Sequence, residues 1–235
     1  MSILTLPTAI YILASTGMLL LIVYVERLDF EMETHKYALL LFSSSFLLSL
    51  VAFFRALDPD NFVIWDNVYS LMILSTGVSW FIFTAKFSDL EIGNKVLGSI
   101  CSLFFVFSIA MITNSAHGMW GVAKPIYFDG MISYSYHPES GIIRDLMLIS
   151  SYIMFLTGIG ILVRDYVFSE KELKRKQTMA FLIGSIVPIL GNFIYQIYGV
   201  SELLPIEPVV LSFAFFTCPT YAYGIIQHNL MSIKP

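Results

Sequence analysis

Seven long apolar runs dominate the sequence and leave little choice of fold. Each has roughly 20 nearly uncharged residues, the length that crosses the hydrocarbon core of a bilayer as an α-helix. Only 13% of the residues are charged and the mean hydropathy is +0.78, whereas soluble domains carry roughly a quarter charged residues. The sequence therefore predicts an all-α, polytopic membrane bundle of seven transmembrane helices, with spans at residues 3–25, 37–54, 67–85, 96–114, 142–163, 178–198 and 209–227.

The distribution of basic residues predicts the orientation of this bundle. Lys and Arg in short loops favour the cytoplasmic side. With the N-terminus outside, 10 of the 13 basic residues fall on the inner side and 3 on the outer side, namely Arg55, Lys124 and Arg144. Because seven spans place the chain ends on opposite sides, we predict an outer N-terminus and a cytoplasmic C-terminus.

The two cysteines do not indicate a disulfide or a metal site. Cys101 and Cys218 lie inside predicted spans four and seven, and neither has metal-ligand spacing to other residues. Their pattern is typical of small apolar core residues. We predict no metal site and no cofactor.

The outer loop between spans four and five, residues 115–141, is much longer than the other loops. Loops of this length are usually functional or disordered. The alternation in YFDGMISYSY, with Asp129 and Gly130 at the turn, predicts a short β-hairpin. Its aromatic residues fit two roles, a lid over the outer mouth or anchors at the membrane interface; they are Trp120, Tyr127, Phe128, Tyr134 and Tyr136.

The inner loop between spans five and six reads RDYVFSEKELKRKQ. Ser169 followed by Glu172 fits a capping box, which predicts that the sixth helix begins near Ser169 and extends beyond the membrane. The basic residues of this loop are explained most simply as topogenic charges, with contact to anionic lipid headgroups as the alternative.

Polar residues in or beside the spans converge on the outer side. Each is costly in lipid and tends to face the bundle interior. Singly, they can be explained as interhelical hydrogen bonds or solvated end charges; together they predict an outward-facing ligand pocket. The candidate ligand-binding residues are Asn114, His117, Trp120, Asn192, Gln196, Glu207, Arg55 and Asp66.

Two prolines lie inside predicted spans. Pro188 is near the middle of span six and Pro219 near the middle of span seven, and an internal proline removes a hydrogen bond and kinks a helix. Thr217 and Thr220 flank Pro219 and are placed to satisfy backbone groups that it frees. The prolines are candidate hinges for signal relay, or static kinks that serve packing.

The sequence disfavours several other membrane functions. No H-E-x-x-H motif is present, and no histidine lies where an intramembrane hydrolase needs its base. The seventh run has no lysine for a retinal Schiff base. Transporters typically contain paired broken helices in two repeats, whereas the two proline-containing helices here are consecutive. The two function classes that remain are a receptor and a membrane scaffold.

Six stretches of the sequence carry a resemblance to a known family. They are FIFTAKFSD (81–89), TNSAHGMW (113–120), YIMFLTGIGILV (152–163), FLIGSIVPILGNFIYQIYG (181–199), IEPVVLSF (206–213) and YAYGIIQHNLMSIKP (221–235). In order and spacing they resemble the seven-helix N-terminal sensor region of bacterial and archaeal membrane histidine kinases, a module also found before diguanylate cyclases. The resemblance covers essentially the whole chain. It implies that the last helix runs into a PAS or kinase region, so we expect an effector domain after residue 235.

The predicted function is therefore signal perception by a single sensor domain, residues 1–235, in a multi-pass plasma-membrane protein. A small lipophilic or amphiphilic molecule, or a change in the membrane, is sensed by the bundle and relayed through span seven. This segment is not itself an enzyme. The expected partners are an unknown small-molecule or lipid ligand, membrane lipids and a second copy in the full-length kinase, with no nucleic acid. The alternatives are a structural, dimerising anchor and a transporter-like lipid-binding protein.

Overall fold

The structure is a computed structural model that describes residues 6–27, 33–128, 131–198 and 216–228. Within these ranges the chain is helical apart from one two-stranded sheet, which confirms the all-α class. The elements are α1 (Leu6–Arg27), α2 (Glu33–Leu57), a 3-10 turn (Pro59–Asn61), α3 (Phe62–Phe87), α4 (Asn94–Ile112), α5 (Asn114–His117), β1 (Gly121–Phe128), β2 (Met131–Ser140), α6 (Ile142–Phe168), α7 (Glu172–Tyr198) and α8 (Cys218–His228).

Most of the predicted spans coincide with these helices. In the described part of the chain, five segments are long and apolar enough to cross a membrane: Ala9–Arg27, His35–Leu57, Pro59–Phe87, Asn94–Ile112 and Ile142–Phe168. Helix α7 covers the predicted sixth span, and α8 covers the second part of the predicted seventh. Residues 209–215 of that span lie outside the described residues. The seven-span architecture and its orientation therefore stay predictions.

The helices place apolar side chains outside and hydroxyl groups inside. Leu20, Phe105 and Ile153 are 64%, 65% and 59% exposed, whereas Ser49 and Thr84 are fully buried. Several of the buried hydroxyls donate to carbonyls of their own helix, as Ser49 does. An apolar surface of this extent is matched by lipid rather than by water, while the helices satisfy their backbone groups internally, as the bilayer requires.

Helices α3 and α6 run in the same direction and approach closely at glycines. A Cβ atom on Gly77 would lie 3.4 Å from the Ser151 carbonyl oxygen, and one on Gly158 would lie 2.3 Å from Trp80 Nε1. The same indole N–H donates to the Phe155 carbonyl at 3.1 Å. Small residues of this kind let membrane helices pack backbone against backbone. The pair therefore forms a fixed wall of the bundle.

An aromatic cluster joins α3, α7, α8 and α2. The ring of Phe181 lies 4.8 Å from that of Phe83, 5.1 Å from that of Phe87 and 5.0 Å from that of Tyr221, all in edge-on geometry. Tyr221 also lies 5.8 Å from Phe42. Edge-on aromatic pairs each add about 0.5–1.5 kcal/mol beyond their buried area. The cluster therefore packs α8 against the rest of the bundle.

We call the end at which α3 and α6 finish the inner end, following the predicted orientation, and the opposite end the outer end. At the outer end Asp58 caps the 3-10 turn by accepting from Asn61 N, and its other oxygen accepts from Trp65 Nε1 at 3.0 Å. These hydrogen bonds, the one from Trp65 first, hold the pKa of Asp58 below its ordinary value. The carboxylate therefore stays ionised and joins the turn to α3.

The predicted β-hairpin is present between α5 and α6. Strands β1 and β2 pair antiparallel from Gly121 with Ser140 to Phe128 with Met131, with two irregularities in the register. The strands are longer than the sequence pattern indicated, and the turn residues 129–130 lie outside the described residues. The choice between a lid and interfacial anchors stays open, because the side chains of residues 126–140 are not described.

The α6–α7 connection differs from its prediction. Ser169 is the C-cap of α6, its N–H donating to the Asp165 carbonyl, and α7 begins at Glu172. Arg175 N donates to the Lys171 carbonyl, which places the start of α7 two residues after the predicted cap. Glu172 instead pairs with Lys176 at 2.7 Å, which holds the pKa of Glu172 below its ordinary value. The capping-box prediction was therefore wrong, because Ser169 terminates the preceding helix.

Candidate functional site

A cavity of about 60 Å³ lies at half the height of the bundle, between α2, α3, α6, α7 and the start of α8. On α2, α3, α6 and α7 its lining residues lie near the middle of the helix. None of the described residues that line it is charged. They are Leu41, Ser45, Leu48, Ile73, Thr76, Trp80, Tyr152, Phe155, Gly184, Ser185, Pro188, Ile189, Thr217 and Tyr221.

Hydroxyl groups form the polar part of this cavity. Thr76 Oγ1 donates to the Met72 carbonyl at 2.8 Å, and Ser185 Oγ to the Phe181 carbonyl at 2.7 Å. Because these hydroxyls give their protons to their own helices, their oxygens still have lone pairs with which to accept. The cavity is thus an apolar chamber with a few neutral polar groups, the usual composition of a small-ligand site.

Pro188 connects the cavity to the contact between α7 and α8. A proline has no N–H, so Pro188 leaves the carbonyl four residues earlier, that of Gly184, without its helical donor. Thr217 Oγ1 donates to that carbonyl at 2.6 Å. A side chain next to α8 therefore satisfies a backbone group that Pro188 of α7 has freed.

A second contact between the two helices lies one turn along. The hydroxyls of Ser185 and Tyr221 are hydrogen-bonded to each other, and both residues line the cavity. The Tyr221 ring packs directly on the Gly184 backbone, since a Cβ atom there would lie 2.5 Å from the ring. The α7–α8 contact therefore combines two hydrogen bonds with a close backbone approach.

On its other side α8 lies against α1. A Cβ atom on Gly17 would lie 3.0 Å from Cys218 Sγ and 3.3 Å from Cys218 Cβ. The chain enters α8 through two π-helical residues, Phe216 and Thr217, immediately before Cys218 and Pro219. The carbonyl that Pro219 frees belongs to residue 215, outside the described residues. Thr217 does not serve Pro219 as predicted but donates to α7, and the hinge role of Pro219 stays a prediction.

At the inner end Lys174 of α7 joins the ends of α3 and α6. Its ammonium donates to the Phe87 carbonyl and lies 3.8 Å from both Asp89 and Asp165. Asp89 adopts a left-handed conformation, with φ 55°, after the last turn of α3. Leu90 N then donates to the Ala85 carbonyl at 2.8 Å, which closes a Schellman motif. A cation close to these C-terminal carbonyls is electrostatically favourable.

At the outer end Arg55 and Asp66, both predicted as ligand contacts, form an ion pair with each other. Arg55 Nη1 lies 3.2 Å from Asp66 Oδ1, and the two side chains are only 1% and 2% exposed. The Arg55 guanidinium also lies 4.2 Å above the centre of the Tyr69 ring. The pair joins the end of α2 to the start of α3, so a structural role accounts for both residues.

Asn114, His117 and Trp120, also predicted for the outer site, organise the turn between α5 and β1. Asn114 donates to the Gly121 carbonyl at 3.0 Å and accepts from Trp120 N at 2.8 Å. His117 Nδ1 accepts from Met119 N at 2.9 Å. The Trp120 side chain is 2% exposed and lies in a small apolar cluster. These residues share the outer end with the ion pair.

The remaining predicted residues divide into three groups. Asn192 and Gln196 lie on the last turns of α7, but their side chains are not described, and Glu207 lies outside the described residues. Of the predicted site and hinge residues, Pro188 alone lines the central cavity as described. The shared outer pocket therefore stays a prediction. The central cavity was not predicted from the sequence, although the stretch GSIVP (184–188) contains a proline, a glycine four residues before it and a serine between them.

The fold and the cavity define a class of protein, a helical membrane bundle with an internal, uncharged chamber. The chain belongs to the family described as the N-terminal 7TM region of histidine kinase, whose model matches residues 10–235. No curated protein sequence matches the chain. The resemblance predicted from the sequence is thereby confirmed. This region is the non-catalytic sensor part of such kinases, and kinase activity belongs to other domains.

Proposed function

We propose that this region perceives a small uncharged molecule inside the bundle and that α8 relays its presence to the cytoplasmic part of the kinase. The contact between Thr217 and the Gly184 carbonyl carries this proposal. It lies at the wall of the cavity, beside Pro188 of α7 and at the start of the last helix. A change in cavity occupancy would therefore alter the position of α8 directly.

The aromatic cluster extends the proposed relay from the cavity toward the inner end of the bundle. Tyr221 lies one turn beyond Thr217 and packs on Phe181, which in turn packs on Phe83 and Phe87 near the inner end. Packed helices have discrete alternative arrangements rather than continuous ones. A shift of α8 at Thr217 would therefore be carried toward the cytoplasm. Pro219, on the exposed side of α8, is the proposed second hinge.

The alternative of a purely structural anchor predicts a tightly packed interior. The uncharged cavity beside the α7–α8 contact favours a sensor over such an anchor. We further propose that the protein is a multi-pass plasma-membrane protein with seven spans and that the kinase acts as a homodimer. In this proposal the effector domain follows the last helix.

The proposed orientation, with the N-terminus outside, has a direct test. In a background with Cys101→Ser and Cys218→Ser, we expect the cysteine of Ser2→Cys to react with a membrane-impermeant maleimide added to intact cells. The expectation follows from the inner excess of basic residues. Labelling confined to inside-out vesicles would show the opposite topology.

Replacing Thr217 with valine tests the relay. The change keeps the shape of the side chain but removes the donor to the Gly184 carbonyl, and an unsatisfied buried acceptor costs about 1–3 kcal/mol. Because 1.4 kcal/mol is a tenfold change in an equilibrium, we expect autophosphorylation per folded molecule to change about tenfold in either direction. The measurement is radiolabelled phosphate incorporation by the kinase that carries this region.

Thr157→Val is the matched control for this experiment. Thr157 also donates to a backbone carbonyl, that of Ile153 at 2.7 Å, but its side chain is exposed on the side of α6 that faces away from the bundle. We expect wild-type autophosphorylation from Thr157→Val. If Thr217→Val also gives wild-type output per folded molecule, the α7–α8 contact does not carry the signal.

A further inference from the structure

The central cavity restricts the charge of anything that binds in it. Among the residues that the structure describes, those that line its wall include no Asp, Glu, Lys, Arg or His. An ion placed at this depth without a partner of opposite charge would lose its hydration and gain nothing in return. The occupant is therefore uncharged.

Three hydroxyl groups of the cavity lie together on its α7–α8 side. Ser185 and Tyr221 are hydrogen-bonded to each other, and Thr217 donates to the Gly184 carbonyl beside them. A ligand hydroxyl both donates and accepts, so it can bond to the hydroxyls of this group. A molecule without a polar group would leave these bonds unchanged. The geometry therefore favours a ligand with one small polar group.

The size and open side of the cavity define the rest of the ligand. A volume of about 60 Å³ is well below the ~150 Å³ of an engineered cavity that binds benzene, so a ring of benzene size does not fit. The wall is fully buried on α2, α7 and α8, whereas Ile73, Tyr152 and Phe155, on α3 and α6, are half-buried. A linear chain can place its polar end in the cavity and leave on the α3–α6 side.

We propose that the cavity binds the polar end of an uncharged, linear aliphatic molecule that carries one hydroxyl group. Its polar group bonds beside Thr217, Ser185 and Tyr221, and its chain extends past Tyr152 and Phe155. The binding follows from the cavity alone; its effect on kinase output rests on the proposed signalling function. Binding would loosen the α7–α8 contact by competing for its hydrogen bonds.

Photolabelling tests the binding. The probe is azioctanol, a photoreactive alcohol whose diazirine lies close to its hydroxyl, added to the kinase that carries this region in lipid vesicles. Mass spectrometry of the labelled peptides should show saturable labelling of cavity residues of α2, α3 and α7. Excess octanol should abolish it. Octane has the same chain without the hydroxyl, and we expect it to compete about tenfold more weakly, because it forms no hydrogen bond.

Two variants of α7 sharpen this test. Ile189 lines the cavity, whereas Leu190, the next residue, is 52% exposed and faces away from the bundle. Ile189→Phe should fill the cavity and reduce the saturable labelling at least about fivefold, since a filled core site has no room for further atoms. Leu190→Phe should leave it unchanged. The competition between octanol and octane on the unmodified protein decides the question even if Ile189→Phe fails to fold.

The outcomes separate the binding site from the signalling role. Labelling that does not saturate, that maps to outward-facing residues, or that octane and octanol reduce equally would overturn the proposed site. Saturable labelling with the expected competition supports the site. Autophosphorylation is measured in the same samples: if binding occurs and octanol leaves the output unchanged, the site stands and the signalling role of the cavity is wrong.

Discussion

Replacing Asp66 with alanine is expected to lower the free energy of unfolding by about 3–5 kcal/mol, the usual cost of removing one partner from a buried ion pair. The change leaves the Arg55 guanidinium, 1% exposed, without the carboxylate that lies 3.2 Å away. Other contacts of Arg55, among them that with the Tyr69 ring, remain, but the close carboxylate of Asp66 is lost. Unfolding in mixed micelles with increasing SDS measures the loss.

Two control variants separate the ion pair from a general effect of charge removal. Asp60→Ala removes an exposed carboxylate from the nearby turn, and we expect a change within about 0.5 kcal/mol. The double variant Arg55→Met with Asp66→Leu replaces both charges by apolar groups, which is often neutral or stabilising. Recovery of stability in the double variant supports the account. A loss below about 1 kcal/mol for Asp66→Ala would contradict it.

The sequence suggested that Arg55 and Asp66 contact a ligand, whereas this expected result assigns them a role in stability. Charges at the ends of two spans look alike in a sequence, whether they face a ligand, solvent or each other. Arg55 and Asp66 meet because the short turn between α2 and α3 brings the end of one helix to the start of the next. That pairing could have been proposed from the 11-residue separation, but its burial depends on the packing of the whole outer end.

The helices could be predicted well because the bilayer imposes a simple rule. Apolar runs of about 20 residues must be helical in lipid, and the predicted spans overlap the helices of the structure. The positions of the helix ends were predicted less accurately. Helix α3 begins at Phe62, ahead of its predicted span at residue 67, because the Asp58-capped turn leads directly into it. Hydropathy marks where lipid begins, and a helix continues beyond that point.

The central cavity could not be predicted because it is a property of packing between five elements. Pro188 does reveal that the Gly184 carbonyl has lost its helical donor, since this follows from the four-residue repeat. The identity of the new donor does not follow. Thr217 lies 33 residues away, and only the placement of α8 against α7 brings it there. Hydroxyl residues such as Thr76 and Ser185 look in the sequence like any that bond to their own helix.

Fixing α8 to α1 is the second change with a large expected effect. With Gly17→Cys, the new Cβ atom would lie 3.3 Å from Cys218 Cβ, close to the 3.5–4.5 Å separation usual in disulfides. Oxidation should therefore join the start of α8 to α1 with little movement. Cys101→Ser removes the other cysteine, which is exposed. Since the account requires α8 to move relative to the bundle, this link should prevent signalling.

The most direct measurement of the central claim is autophosphorylation of the Gly17→Cys kinase, with and without Thr217→Val, before and after oxidation. Gly17→Cys with Cys218→Ser, oxidised in the same way, is the control for oxidation alone. In reduced protein we expect the Thr217→Val change to alter output about tenfold. If α8 relays the signal by moving, this difference disappears in crosslinked protein and returns on reduction. A difference that persists in fully crosslinked protein would contradict relay by movement of the last helix.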